Sequence, residues 1–218
     1  MSYQIAIDGP AGAGKSTVAK AVAERLGYIY VDTGAMYRAM ALYLIRRQIP
    51  AKDAEGISRA SRGADITIAY ENGAQQVLLD GENVTALLRT EEVGNMASAS
   101  SVNPDVRKKL VELQQALASR ENVVMDGRDI GTCVLPEADV KVYLTASTEC
   151  RARRRYDELS AKGEDCDLKE IEADIRQRDE RDMNREFSPL RQAEDAVLLD
   201  SSDLTVEEVI ERILALCR

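Results

Sequence analysis

Apolar residues in the first 47 positions alternate between short runs and helical stripes. Residues 5–7 form an apolar run that predicts a strand, and apolar positions four apart within 16–26 predict a helix that Gly27 ends. Residues 28–31 predict a second strand, and Asp32-Thr33-Gly34 predicts the turn into a second helix that runs to about Arg47. This order of strand, helix, strand and helix is typical of a parallel sheet covered by helices on both faces.

The pattern changes between residues 63 and 84, where short runs alternate apolar and polar positions. The runs 66–70 and 76–79 are separated by a segment containing Asn72-Gly73, which is a strong hairpin signal. Asp80-Gly81 offers a second turn. We therefore predict a small antiparallel insertion at this point of the chain.

Two helices should follow the insertion, the second with Asn103 as its N-cap and Pro104 in its first turn. The remaining apolar runs predict further buried strands at 122–126, 140–144 and 196–200. A terminal amphipathic helix should begin after Thr205, which has Glu208 three residues later, as in a capping box.

Composition narrows the chemistry that this chain can perform. Its 218 residues carry a net charge of −9, which argues against DNA or RNA as the main partner. The absence of His excludes imidazole catalysis and His-ligated metals. Four Cys without C-x-x-C spacing fit a reducing compartment, and neither a secretory signal nor a membrane span is predicted. We expect a cytoplasmic monomer that binds neither nucleic acid nor a membrane.

The strongest local signal is Gly-Pro-Ala-Gly-Ala-Gly-Lys-Ser at residues 9–16, which fits G-x-x-x-x-G-K-[S/T] between a strand and a helix. Glycines let backbone N–H groups surround phosphate oxygens, and the helix N-terminus favours an anion. We expect Lys15 to reach the β- and γ-phosphates of ATP and Ser16 to bind Mg²⁺ directly. Asp126, at the end of an apolar strand, is expected to orient the Mg²⁺ shell through water.

The chain is acidic overall, but it contains two arginine-rich segments, at 151–155 and 176–185. Cations there would offset the charge of the phosphates and could form a hinged cover over them. The alternative is a pair of solvated helices held by Glu/Arg pairs, to which Glu180 and Asp182 could belong in part. Arg38 stands at the start of a helix that follows a strand, and either clamps a second phosphate or is an ordinary surface residue.

The chain resembles the bacterial cytidylate kinases, within the nucleoside monophosphate kinases. The resemblance covers nearly the whole chain and is carried by Asp-Thr-Gly-Ala-Met-Tyr-Arg at 32–38, Asp-Gly-Arg-Asp-Ile-Gly-Thr at 126–132, Arg-Asp-Glu-Arg-Asp-Met-Asn-Arg at 178–185, and the hairpin insertion. It implies transfer of the γ-phosphoryl group of ATP to CMP or dCMP. Thr33 stands where some members have Ser, and either hydroxyl suits the contact.

The resemblance also implies roles for individual residues. Arg38, Arg128 and Arg185 would hold the phosphate of the acceptor, and with Lys15 they are the predicted catalytic residues. The cytosine base would be recognised by Ser98, Arg107 and Asp129, whose donors and acceptors complement those of the base. The remaining acceptor-binding residues, around the sugar, would be Thr33, Tyr37, Arg178 and Asp182. The ATP-binding residues would be Gly9, Pro10, Ala11, Gly12, Ala13, Gly14, Lys15, Ser16, Thr17 and Arg154.

The fold class that follows is α/β, with a three-layer phosphate-loop core, an antiparallel insertion and an arginine-rich helical lid. The predicted core covers 1–37, 106–148 and 188–218, the insertion about 38–105 and the lid about 149–187. The phosphate loop alone leaves two alternatives open. One is a kinase for another small acceptor, such as shikimate, AMP, GMP or UMP, and the other is a nucleotide-dependent switch.

Overall fold

The computed structural model describes residues 2–71 and 73–217. In chain order its strands and α-helices are β1 (Gln4–Asp8), α1 (Lys15–Leu26), β2 (Ile29–Asp32), α2 (Thr33–Arg46), α3 (Ala54–Ser61), β3 (Ile66–Glu71), β4 (Ala74–Leu79), β5 (Glu82–Asn83), α4 (Glu91–Ser100), α5 (Pro104–Ala118), β6 (Val123–Gly127), β7 (Val140–Thr145), α6 (Thr148–Ala161), α7 (Leu168–Asn184), β8 (Val197–Asp200) and α8 (Val206–Leu216). A short 3₁₀ turn covers Thr85–Leu87 and a π-helical turn covers Ile130–Val134.

The chain divides into two compact units. Unit 1 contains Ser2 and Ile29–Glu121, and unit 2 contains Tyr3–Tyr28 and 122–217. The boundaries proposed from the sequence for an insertion at 38–105 and a lid at 149–187 remain predictions.

Unit 2 is built on parallel strands in the order β6-β1-β7-β8. Ile5 and Ile7 of β1 are fully buried, as are their neighbours Met125 of β6 and Leu144 of β7. Such continuously apolar strands are expected where a parallel sheet is covered on both faces. Because parallel strands share one direction, the residues that follow β1, β6 and β7 emerge at the same edge of this sheet, where ligands of open α/β sheets bind.

The prediction of a buried strand at 196–200 is only half correct. A parallel strand does form there, as β8, but Val197 and Leu198 are 44% and 57% exposed, and Leu199 is the buried residue of the three. β8 stands last in the strand order and therefore has a paired neighbour on one side, β7. Apolar composition alone does not distinguish such an edge strand from a central one.

Unit 1 begins with β2 and α2, which meet at Asp32. The Asp32 carboxylate accepts a hydrogen bond from the Ala35 N–H at 2.9 Å and so caps α2. The apolar face of α2 provides the fully buried Met36, Met40 and Leu44, which form one core cluster with residues of the antiparallel sheet. The apolar face of α2 is therefore part of the core of unit 1.

The predicted insertion is an antiparallel sheet in the order β3-β4-β5. Strands β3 and β4 pair from Ile66 with Leu79 to Glu71 with Ala74. A turn was predicted between them at Asn72-Gly73; Asn72 lies outside the described residues, and Gly73 has a φ of +75°. The second predicted turn, Asp80-Gly81, leads into β5.

The helices of unit 1 include one that the sequence analysis missed. Asn103 caps α5 as predicted, with its side chain accepting from the N–H groups of Asp105 and Val106. Its amide also donates to the carbonyl of Ala54 at 3.1 Å, at the first residue of α3. Ile57 is the single large apolar residue among the eight residues of α3, which is why no helix was predicted there.

The remaining helices lie in the charged segment and at the end of the chain, where the sequence predicted them. Helices α6 and α7 fill the charged segment, with Gly163 at a φ of +76° between them, and α8 begins at Thr205 with a complete capping box. Within the described ranges, no helix is both long enough and apolar enough to cross a bilayer. The α/β fold class is confirmed.

Candidate active site

The glycine-rich loop follows β1 directly and ends at the start of α1. Gly9 has a φ of +150°, and a Cβ atom at this position would lie 1.9 Å from the carbonyl oxygen of Leu144 in β7. Gly14 caps α1 with a φ of +86° and with no side-chain hydrogen bond. The backbone N–H groups at this helix start are therefore available to a ligand, as a phosphate-binding loop requires.

Lys15 is 6% exposed and its Nζ donates to the carbonyl of Pro10 at 2.7 Å. Burial lowers the pKa of Lys15 to about 7, and the positive charge of Arg128 acts in the same direction. Asp126 and Asp8 oppose this shift. An anion placed beside Lys15 would favour its charged form.

Ser16 and Asp126 meet at the same point, since the Ser16 hydroxyl donates to the Asp126 carboxylate at 2.8 Å. Asp126 is 5% exposed, at the end of β6. A hydroxyl and a carboxylate together suit Mg²⁺, which prefers oxygen ligands and usually keeps waters and phosphates in its shell. Among the described residues, no three or more His, Cys, Asp or Glu side chains are grouped to hold a metal. The Ser16 and Asp126 oxygens are thus chemically suited to Mg²⁺.

A cluster of arginines and carboxylates lies in unit 2. Arg128 donates from Nε to Asp182 at 2.8 Å, and Arg185 lies 3.5 Å from Asp129 and 4.0 Å from Asp182. Burial opposes ionisation of Asp182, but the charge of Arg128 and its hydrogen bond, with Arg178 and Arg185, hold the pKa of Asp182 below its usual value. These five residues were predicted to bind the acceptor, and the structure brings four of them into direct contact.

Helices α6 and α7 both contact the phosphate loop at Ala11. Arg151 of α6 donates to the Ala11 carbonyl at 2.8 Å, and the Ala11 N–H donates to Asp179 of α7 at 3.3 Å. Arg151 and Asp179 also form a 2.6 Å ion pair whose side chains are 5% and 11% exposed. We call Arg151 and Asp179 the Ala11 clamp. Both backbone polar groups of Ala11 are thus hydrogen-bonded to side chains of α6 and α7.

Three other arginines of α6 and α7 bear on the interpretation of these segments as solvated helices. Arg155 pairs with Glu158 on the surface of α6, and Arg176 pairs with Glu172 one turn earlier on α7, so both belong to solvated helix faces. Arg154, predicted to bind ATP, donates instead to the carbonyl of Ser201 at 2.7 Å, just after β8. Its role toward ATP stays a prediction.

Unit 1 contains the other predicted acceptor residues. Arg107 of α5 is 4% exposed, donates to the Ser101 carbonyl at 3.2 Å, and lies 5.4 Å from the ring centre of Tyr37. The carbonyl of Ser98 on α4 accepts from the Ser101 hydroxyl at 2.9 Å. Residues from α2, α4 and α5 are therefore linked around one buried guanidinium, a group suited to the acceptor atoms of a base.

Arg38 lies beside the first turn of α2. A Cβ atom at Gly34 would be 3.4 Å from the Arg38 Nη1 and 3.2 Å from the Asp32 carboxylate, so the missing side chain leaves room for the guanidinium. Thr33, the first residue of α2, is 3% exposed. A guanidinium at a helix N-terminus is a favourable place for an anion because charge and helix dipole act together.

Sequence reasoning missed two polar residues that shape these regions. Gln75 of β4 accepts from the Asp32 N–H at 2.8 Å and donates to the Asp32 carbonyl at 3.2 Å, which ties the hairpin to the start of α2. Asp8 accepts two backbone hydrogen bonds from the turn after β6. An acid that ends an apolar strand was the signal used for Asp126, and the same signal could have identified Asp8.

Three comparisons with known proteins bear on these observations. The family model described as cytidylate kinase matches residues 5–218. Cytidylate kinases from Caldicellulosiruptor saccharolyticus and Desulfitobacterium hafniense are each 51% identical to this chain, over 97% and 99% of its length and over 94% and 92% of theirs. The cytidylate kinase of Carboxydothermus hydrogenoformans is 49% identical over 97% of this chain and 95% of its own length.

Solved structures show more distant similarity. An uncharacterized protein from Eubacterium ventriosum has a TM-score of 0.55 at 14% identity, covering 99% of this chain and 97% of its own. Shikimate kinase from Bacteroides thetaiotaomicron has a TM-score of 0.50 at 15% identity, covering 99% and 98%. At these identities the likeness concerns the fold alone. The family model and the relatives near 50% identity go further, and they show that this chain belongs to the cytidylate kinase family.

Proposed function

We propose that this protein is a kinase that transfers the γ-phosphoryl group of ATP to CMP or dCMP, giving ADP and the corresponding diphosphate. The observation that carries the proposal is its identity of about half of all residues with cytidylate kinases over nearly the whole chain. The loop, the buried Lys15 and the arginine cluster of unit 2 provide the phosphate-binding chemistry that such a reaction needs.

On the donor side, the residues of the loop from Gly9 to Thr17 would surround the ATP phosphates, and Lys15 would carry the charge that stabilises the transferred group. Mg²⁺ would bind with ATP, directly to Ser16 and through water to Asp126, and would neutralise part of the phosphate charge. Arg154 would contact ATP from the lid. The chain supplies no His, so we propose in-line transfer driven by positioning and charge.

On the acceptor side, Arg38, Arg128 and Arg185 would hold the phosphate of CMP. Asp129 would accept a hydrogen bond from the cytosine amino group, with Ser98 and Arg107 completing recognition of the base. The other residues around the sugar would be Thr33, Tyr37, Arg178 and Asp182. Closing arginines would also exclude water, which would otherwise hydrolyse ATP. We further propose that the protein acts as a cytoplasmic monomer, without nucleic acid or membrane partners.

The test is ADP release measured with CMP, dCMP, UMP and AMP offered separately. We expect turnover with CMP and dCMP, and loss of CMP-dependent turnover in Lys15→Ala. Turnover with AMP alone, or ATP hydrolysis that no acceptor accelerates, would refute the proposal in favour of another kinase or a nucleotide switch.

The role of Asp129 has a separate test. Asp129→Ala should lower kcat/KM for CMP about 10- to 100-fold, since a hydrogen bond to a charged group is worth about 1.5–3 kcal/mol, while KM for ATP stays within about twofold. Asp139→Ala is the matched control, because Asp139 caps the Gln4 N–H at the opposite end of β1. If Asp129→Ala impaired ATP binding instead, the assigned role would be wrong.

A further inference from the structure

Asp8 is the last residue of β1 and is 5% exposed. Its Oδ1 accepts from the Ile130 N–H at 2.8 Å and its Oδ2 accepts from the Gly131 N–H at 2.7 Å. These two N–H groups open the π-helical turn that follows β6. Both carboxylate oxygens of Asp8 therefore serve a single short segment, 122 positions later in the chain.

The same residue also holds the other end of that segment. In the parallel ladder of β1 and β6, Asp8 is in register with Gly127, the last residue of β6. Arg128 and Asp129 are the two residues between Gly127 and the start of the turn at Ile130. Asp8 thus fixes the chain on both sides of Arg128 and Asp129, through its backbone position on one side and its side chain on the other.

The capping arrangement of this turn is unusual. Asp129 occupies the N-cap position, where an Asp side chain normally accepts from the first N–H groups, yet it makes no side-chain capping bond. Asp8 accepts from those groups instead, and the Asp129 carboxylate lies 3.5 Å from Arg185. The approach is close, because a Cβ atom at Gly131 would lie 3.4 Å from Asp8 Oδ2 and 3.3 Å from the Lys141 side chain.

We propose that Asp8 is a positioning residue for the acceptor nucleotide: it replaces Asp129 as the cap of the π-helical turn and thereby keeps the Asp129 carboxylate, together with Arg128, directed to the acceptor. This inference rests on the proposed function, in which Asp129 contacts the cytosine amino group and Arg128 the phosphate. Asp8 itself touches no substrate atom in this scheme. Because the charge of Asp8 also favours the charged form of Lys15, the diagnostic effect is on selectivity between acceptors, since ATP binding is common to all of them.

The charge state of Asp8 sets the conditions of the test. Burial raises the pKa of Asp8 to about 6, although its hydrogen bonds from Gly131 and Ile130 favour the ionised form. The charge of Asp129 raises this pKa and that of Lys15 lowers it. At pH 8 the carboxylate is ionised and both oxygens can accept, so the kinetic measurements belong at that pH.

The experiment is Asp8→Asn, an isosteric change that keeps one acceptor oxygen and turns an N–H donor toward the second backbone N–H. We expect KM for CMP to rise about tenfold and KM for ATP to rise less, since removing the Asp8 charge affects ATP only through Lys15. The ratio of kcat/KM for CMP over UMP should fall. Asp139→Asn, which also removes a carboxylate acceptor from a backbone N–H of unit 2, should leave all of these values within twofold.

A second measurement is independent of activity. Amide hydrogen exchange at Ile130 and Gly131 should accelerate at least tenfold in Asp8→Asn, while exchange within β6 stays unchanged. If Asp8→Asn does not fold, Asp8→Glu tests the same point, because it keeps the charge while its extra methylene displaces the carboxylate from the Ile130 and Gly131 N–H groups. The same fall in CMP over UMP selectivity is expected.

Three outcomes separate the possibilities. Failure of the wild-type chain to phosphorylate CMP refutes the proposed function, and the exchange data then decide whether Asp8 anchors the turn. Unchanged selectivity with unchanged exchange in Asp8→Asn overturns the positioning role. A uniform fall in kcat with both KM values and the selectivity unaltered also overturns it, because that pattern indicates only a smaller folded fraction.

Discussion

The Ala11 clamp allows a quantitative prediction from a single substitution, Arg151→Met. This change keeps most of the aliphatic volume of the Arg151 side chain but removes the guanidinium that pairs with Asp179 at 2.6 Å. The Asp179 side chain is only 11% exposed. It also removes donors from two carbonyls, those of Ala11 at 2.8 Å and Ala146 at 2.9 Å. Removing one partner of a buried ion pair costs about 3–5 kcal/mol, because the remaining charge is left without compensation.

The matched control lies one turn further along the same helix. Arg155 pairs with Glu158 at 2.9 Å, and these side chains are 48% and 51% exposed. Pairs of this kind contribute about 0–1 kcal/mol. Arg155→Met should therefore lower the free energy of unfolding by at most about 1 kcal/mol, whereas Arg151→Met should lower it by about 3–5 kcal/mol.

The assay is urea unfolding followed by circular dichroism, with the free energy of unfolding extrapolated to water. The double variant Arg151→Met/Asp179→Leu should recover part of the loss, because no unpaired charge remains, although the carbonyls of Ala11 and Ala146 stay without this donor. If Arg151→Met and Arg155→Met lowered stability equally, or if the double variant were no more stable than Arg151→Met, the clamp would not be the stabilising contact described above.

Two further predictions concern the phosphate loop. Gly9→Ala should prevent folding, because its Cβ would lie 1.9 Å from the Leu144 carbonyl oxygen. The control Gly163→Ala also lies at positive φ but has open space around it, so it should lower the free energy of unfolding by only about 1–2 kcal/mol. Equal urea midpoints for the two variants would contradict this prediction. MgATP binding at pH 8 should be accompanied by proton uptake at Lys15. Burial and the charge of Arg128 lower the pKa of Lys15 to about 7, and bound phosphates would raise this pKa. Calorimetric binding heats that do not depend on the ionisation enthalpy of the buffer would refute this prediction.

The elements of the fold that the sequence predicted well are those specified by local signals. The loop from Gly9, the Asn103 cap of α5 and the Thr205 capping box each depend on residues within a few positions of one another, and all appear as predicted. The contacts that organise the site are of another kind. Asp8 meets a segment 122 positions away, and Arg151 meets Ala11 140 positions away. No local pattern encodes which partner such a residue finds, so these contacts required the structure.

Helix α7 shows why the charged segment could not be interpreted from composition alone. Its buried residues, Ile175, Asp179 and Asp182, follow the spacing of an apolar stripe, but two of the three are carboxylates. Each carboxylate is met by an arginine from outside the helix, Arg151 from α6 and Arg128 from the turn after β6. Reading polar residues as solvent-facing therefore fails for this helix, because its buried face packs against guanidinium groups. One sequence signal would have predicted the buried face of α7. Its acids lie four and seven residues after Ile175, on the same side of the helix, in a chain that has arginine clusters elsewhere.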